Sequence, residues 1–160
     1  MRQRTILSFI LSAACMAVCT AASAAEAWKD MNSQVLQLYQ AGDVDKARPV
    51  AQKALEKAET EFGRSAPETA LSLNNLALIY KKQGKYDEAT RLYERSLAIA
   101  EQVAGPRNED LLVPLNNLAA LYEARGEKVK ADQIYERISN MGHSDTAYQI
   151  KKRARNAANA

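Results

Sequence analysis

The chain has 160 residues, 26% of them charged, with 22 basic and 19 acidic side chains and a formal net charge of +3. Its two cysteines, Cys15 and Cys19, both fall in the leader described below, so the rest of the chain has no disulfide, thiolate nucleophile or cysteine-based metal site. Part of the positive surplus, Arg2 and Arg4, lies in the same leader, and the small net charge that remains names no partner.

Met1-Arg2-Gln3-Arg4 is a short basic stretch, Ile6 to Val18 is an apolar run, and Ala22-Ser23-Ala24 has the small-x-small pattern of a cleavage site. In that order these are the parts of a secretory signal peptide, expected over residues 1–24, with a mature domain over 25–160. The run is short for a spanning helix, which needs about 20 apolar residues. Gln3 separates Arg2 from Arg4, so there is no twin-arginine pair and the general secretory route is expected. The style of the leader is bacterial, which places the mature protein in the periplasm. A competing reading is lipidation at Cys15, preceded by Ser12-Ala13-Ala14, although Ser12 stands where such signals favour leucine. Membrane contact is expected only in that lipidated form.

Downstream, Leu73-Asn74-Asn75-Leu76-Ala77 returns 42 residues later as Leu115-Asn116-Asn117-Leu118-Ala119. At the same offset Tyr80 matches Tyr122, Gly84 matches Gly126, Ala89 matches Ala131 and Tyr93-Glu94-Arg95 matches Tyr135-Glu136-Arg137. An earlier, fainter copy places Asn32, Leu38, Gly42 and Ala47 at the corresponding positions. A fixed period of this size marks stacked supersecondary units that bury their apolar faces against one another. Three units are expected, over about 28–69, 70–111 and 112–143.

Within each unit the apolar residues follow helical spacing. Leu73, Leu76, Ala77 and Tyr80, like Leu115, Leu118, Ala119 and Tyr122, fall at i, i+3, i+4 and i+7. A second helix follows through Ala89, Leu92, Tyr93, Ser96, Leu97 and Ala100, with Ala131, Ile134, Tyr135 and Ile138 as counterparts. Gly42, Gly84 and Gly126 are expected to turn the chain between the helices of a unit, and Gly63 and Gly105 to end second helices. Ser65-Ala66-Pro67-Glu68 has the spacing of a capping box, and Asn108 or Asp110 is expected to cap the next unit, whose start Pro114 delays or distorts. Pro49 raises the same question in the first unit. Gly142 is expected to stop the third pair, and Ser144 or Asp145 to cap a terminal helix over about 144–157. Few β-branched residues cluster, which argues against a sheet.

The motif Leu-Ala-x-x-Tyr, then Gly, then Ala, then Tyr four positions on, resembles the tetratricopeptide repeat, and Leu-Asn-Asn-Leu-Ala with a 42-residue period is similar to its kinesin-light-chain-like branch. The resemblance runs from about Trp28 to Asn140. It implies an all-α, right-handed α-solenoid of three antiparallel helix pairs, here followed by a C-terminal capping helix. It also implies a non-catalytic scaffold that binds a peptide or protein segment in a concave groove lined by the first helices, with asparagines bonding the ligand backbone.

Asn74-Asn75 and Asn116-Asn117 sit mid-helix, where Asn is less favourable than Ala by about 0.5–0.7 kcal/mol each. An amide offers both a donor and an acceptor, so a ladder of Asn32, Asn74, Asn75, Asn116 and Asn117 suits an extended peptide. The equal reading is that one asparagine of each pair bonds the neighbouring helix and fixes the stacking, and both roles can hold together because adjacent residues face directions about 100° apart. Lys81 and Lys82 add a place for an acidic peptide or carboxylate, or else a solvated helix end. Tyr80, Tyr93, Tyr122 and Tyr135 are expected in the core, and Trp28 is expected to seal the amino-terminal end.

Nothing in the chain calls for catalysis, a metal or a cofactor. His143 stands alone in a turn, and there is no phosphate-cradling loop, nucleophile elbow or zinc-spaced ligand set. Lys151, Lys152, Arg153 and Arg155 follow the last acidic residue, Asp145, as a solvated helix end, and export argues against nucleic acid. The partner expected is a protein or peptide, and the chain a monomer or weak homo-oligomer. The alternative from another class is a self-associating or lipid-anchored assembly part of the envelope.

Overall fold

The computed structural model describes Ser23 and residues 25–141. The expected cleavage site at Ala24, Cys15, His143 and the capping helix over 144–157 lie outside the described residues.

Helix α1 occupies residues 25–40, α2 Val44–Glu61, α3 Pro67–Lys82, α4 Tyr86–Ala104, α5 Leu112–Ala124 and α6 Lys128–Asn140, with a 3-10 turn at Glu109–Leu111 before α5. Among the described residues there is no strand, and no helix is long and apolar enough to cross a membrane. The fold is an all-α stack of three helix pairs, α1–α2, α3–α4 and α5–α6. Each second helix packs on the next first helix, α2 on α3 and α4 on α5, and α3 also touches α5.

The three turns inside the pairs are built alike. Asp43, Lys85 and Glu127 each donate their backbone N–H to the carbonyl five residues back, on Leu38, Tyr80 and Tyr122, all at 2.9 Å. This closure requires a left-handed residue just before the donor. Gly84, at φ +75°, supplies it in the second unit, where a side chain would be strained although the space beside it is open. The next helix begins immediately, so the pairs are tight and antiparallel.

Two features of the helix starts differ from expectation. The N-cap of α3 is Ala66, with no side-chain cap, and Pro67 opens the helix. Ser65 therefore does not complete a capping box. Thr69 Oγ1 donates instead to the Gly63 carbonyl at 2.7 Å, tying the α2–α3 connection to the first turn. In the third unit Asn108 does cap, accepting from the Asp110 N–H at 2.8 Å, and the proline at 114 is accommodated by a 3-10 turn that runs into α5. Helix α2 continues through Pro49, whose ring sits near the helix start.

The stripes read from the sequence form the core. Leu73, Ala77, Leu115 and Ala119 are fully buried, with Ala89, Tyr93 and Ala131 packed from the second helices. Burying a leucine of this kind contributes about 1.5–3 kcal/mol. One cluster lies between the second and third units, another joins Val35, Ala47 and Ala51 to Leu76 and Ile79, and Leu92 touches both. Tyr93, Tyr122 and Tyr135 are buried, whereas Tyr80 is half-buried. Trp28 is buried, packs edge-on against Phe62 and donates its ring N–H to Ser72 Oγ at 2.8 Å. It joins the first unit to the second rather than sealing an outer end.

Candidate functional site

The asparagines are brought together, but with one another. Asn75 Nδ2 donates to Asn32 Oδ1 at 2.8 Å, and Asn117 Nδ2 donates to Asn74 Oδ1 at 2.8 Å. Asn32 also donates to the Trp28 carbonyl one turn earlier. Neighbouring residues on a helix point about 100° apart. The first asparagine of a pair can therefore accept from the following unit while the second donates to the preceding one. Asn32, Asn74 and Asn75 are buried, Asn117 is half-buried and Asn116 is exposed. Of the expected ladder, Asn116 is the amide turned to solvent.

Further polar joints repeat across both unit boundaries at the 42-residue period. Gln83 donates to Asp45 and its counterpart Arg125 donates to Asp87, at 2.8 and 2.7 Å. Arg95 pairs with Glu59 at 2.6 Å, and Arg137 with Glu101 at 2.5 Å. The Tyr80 hydroxyl accepts from Gln52 at 3.4 Å, and Tyr122 donates to Glu94 at 3.3 Å. Partly exposed pairs such as these contribute about 0–1 kcal/mol each. Their value is directional, because they accept only one stacking register.

Lys81 and Lys82 close α3. Lys82 is exposed. Lys81 is half-buried, and burial lowers the pKa of its amine from the ordinary value, an effect partly offset by Glu123 at the equivalent position of α5. The ammonium and the carboxylate thus attract each other electrostatically between neighbouring first helices. Burial, and then the nearby Tyr39, raise the pKa of the Tyr93 hydroxyl, which has no hydrogen-bond partner among the described residues. The pKa of Tyr122 is raised by burial and then by Glu94.

A pocket of about 350 Å³ opens between the start of α3, the end of α4 and the start of α5. Its walls include Pro67, Leu71, Asn74, Val103, Asp110 and Val113. Leu71, Val103 and Val113 are 46%, 55% and 61% exposed, three of the five large apolar side chains open to solvent among the described residues. Large apolar groups gathered on one accessible face mark binding surfaces more often than scattered ones do. The sequence reading missed this pocket. Its signal was present: Leu71 and Val113 occupy equivalent repeat positions off the core stripe, where the first unit has Lys29.

Among the described residues no group of three or more His, Cys, Asp or Glu side chains comes together as metal ligands would. A second cleft, between the turns at Gly84 and Ala124, is lined by Asp87, Glu88, Arg125 and Glu127. Arg125 is paired there with both Asp87 and Glu127, and Lys130 with Glu127, so its charges are largely matched internally.

No curated protein matches the chain significantly. The family model described as Tetratricopeptide repeat matches it twice, over residues 27–102 and 70–141. These two overlapping matches span the three helix pairs and their shared joints, and the chain belongs to the tetratricopeptide repeat family.

Proposed function

We propose that this chain is an exported, non-catalytic scaffold of the bacterial cell envelope that binds a protein or peptide segment along the face of its first helices. Tetratricopeptide repeats mediate protein–protein interaction. The observation that carries the reading here is the grouping of Leu71, Val103 and Val113 around one pocket beside the first helices, with Asn116 and Lys82 exposed on those same helices. The basic, apolar and small-residue order of the leader supports export, and release at Ala24 would give a soluble periplasmic protein. The buried asparagines serve the joints in this account, and the surface left to a partner is Asn116, Lys82, Lys81 and the apolar pocket.

The test is capture of binding proteins from an envelope extract by the mature chain, compared with two surface variants. Val113→Lys and Lys82→Glu should reduce capture while leaving thermal unfolding unchanged. Equal capture by both variants would remove the first-helix face as the site.

One observation favours self-association as a second reading. Val129, 73% exposed, stands on α6 at the repeat position where Asp45 and Asp87 accept bonds from the following unit. Light scattering across a concentration series tests it: a mass that stays monomeric rules it out.

A further inference from the structure

Because the chain reverses at every glycine turn, first helices start and second helices stop at the same end of the stack. Pro67 at the start of α3, Ala104 at the end of α4 and Asp110 with Pro114 around the start of α5 meet there, around the apolar pocket. Leu71, Val103 and Val113 leave its mouth open, and its volume suits one or two side chains rather than a folded domain.

The charge at this mouth has one sign. Asp110 is the charged residue among those lining the pocket, and its carboxylate has no ion pair among the described residues. Helix α4 has no basic residue of its own in its last turn, and the one cation paired to that turn, Arg137, is taken by Glu101, so the carbonyl end adds negative character where Val103 and Ala104 reach the pocket. The two positive helix ends nearby face three carboxylates, Glu68 in the first turn of α3 and Glu109 with Asp110 in the 3-10 turn, so the negative charge is in excess. Arg107 is exposed in the α4–α5 connection and does not line the pocket.

We propose that this pocket receives a leucine-like side chain from a partner segment that carries Lys or Arg within two residues of it, the cation lying against Asp110 and the carboxyl end of α4. The assignment rests on the reading that the first-helix face binds a protein segment, and it specifies the partner's chemistry. It is separate from the acidic contact that Lys81 and Lys82 would select, because those lysines lie at the other end of α3. Complementary charge beside an apolar anchor sets which segments enter and how fast, and like charge there is strongly disfavoured.

The experiment is a nuclear magnetic resonance titration of the isotope-labelled mature chain with three short peptides: Ser-Arg-Leu-Arg-Ser, its Glu-Leu-Glu counterpart and its Arg-Ala-Arg counterpart. The first should shift the amide signals of Leu71, Val103 and Val113, with the other two at least about tenfold weaker. Val113→Lys should abolish the response, and Leu36→Lys, on an exposed position of α1 away from the pocket, should keep it. Equal binding of the Glu-Leu-Glu peptide, or shifts centred on Lys81 and Lys82, would overturn the proposal and leave the first-helix face in place as a binding surface. Absence of any shift with all three peptides, alongside capture of an envelope protein that Val113→Lys abolishes, would overturn the partner chemistry alone. The chain's own Ile150-Lys151-Lys152-Arg153 has the same chemistry. If Ile150→Ser changes the pocket signals without added peptide, and the peptide has no effect before that change, the pocket belongs to the tail and the proposal is overturned.

Discussion

Asn117 donates its side-chain amide to Asn74 Oδ1 at 2.8 Å across the boundary between the second and third units, and Asn75 does the same to Asn32 one unit earlier. A buried amide that loses such a partner keeps the penalty of its own desolvation. Asn32→Ala, which leaves the buried Asn75 amide without its acceptor, should therefore lower stability by about 1–3 kcal/mol in urea denaturation. Asn116→Ala, at the equivalent but exposed position, should stay within about 0.5 kcal/mol of the parent. Equal losses at the two positions would show that the joint is not what distinguishes them.

The lysine at 81 gives a pH dependence with a definite sign. Its folded pKa lies below the ordinary 10.5, so its charged form is disfavoured by folding at neutral pH. Its unfavourable contribution is fully present below the folded pKa and fades as pH rises towards 10.5, where the unfolded chain also loses the proton. Lys81→Met should thus be more stable than the parent at pH 7, and the difference should shrink as pH approaches 10.5. Parallel urea titrations of the two proteins isolate this group from the tyrosines that also titrate there. A difference that grows with pH would contradict the assignment.

Tyr93 is fully buried, and its hydroxyl is unpartnered among the described residues. Removing that oxygen leaves the ring packing intact. Tyr93→Phe should be neutral or stabilising, whereas Tyr93→Ala should cost about 3–5 kcal/mol through the cavity it leaves. Calorimetric melting of both variants checks this, and a large loss for Tyr93→Phe would mean that the oxygen is bonded.

Gly84 has φ +75° in the turn that closes the second unit. The space around it is open, so the penalty for a side chain is one of backbone conformation alone. Gly84→Ala should lower stability by about 1–2 kcal/mol without altering the helix content measured by circular dichroism.

The stack itself was legible because its signals are local. The stripe Leu73, Leu76, Ala77 and Tyr80 and the glycines at 42, 84 and 126 each state a helix face or a turn within a few residues, and the 42-residue repeat says that neighbours are alike. The joints were not legible. Arg95 meets Glu59 and Gln83 meets Asp45 only once the stacking register places one unit on the next. The asparagines fell between these cases. Their position mid-helix required a reason, and the two available reasons use the same amide chemistry, so the joint became visible only with the pairing of Asn75 with Asn32 and Asn117 with Asn74. The pocket was obscured by its own composition, since Leu71, Val103 and Val113 read one at a time as ordinary surface apolar residues.

The central claim is that the first-helix face receives a protein segment. Placing a photo-crosslinking benzophenone side chain at Val113, and in a second protein at Val129, tests it in the full-length chain. The account predicts a covalent adduct with another protein from position 113 and none from 129. Adducts from 129 alone, from both positions equally or from neither would contradict it.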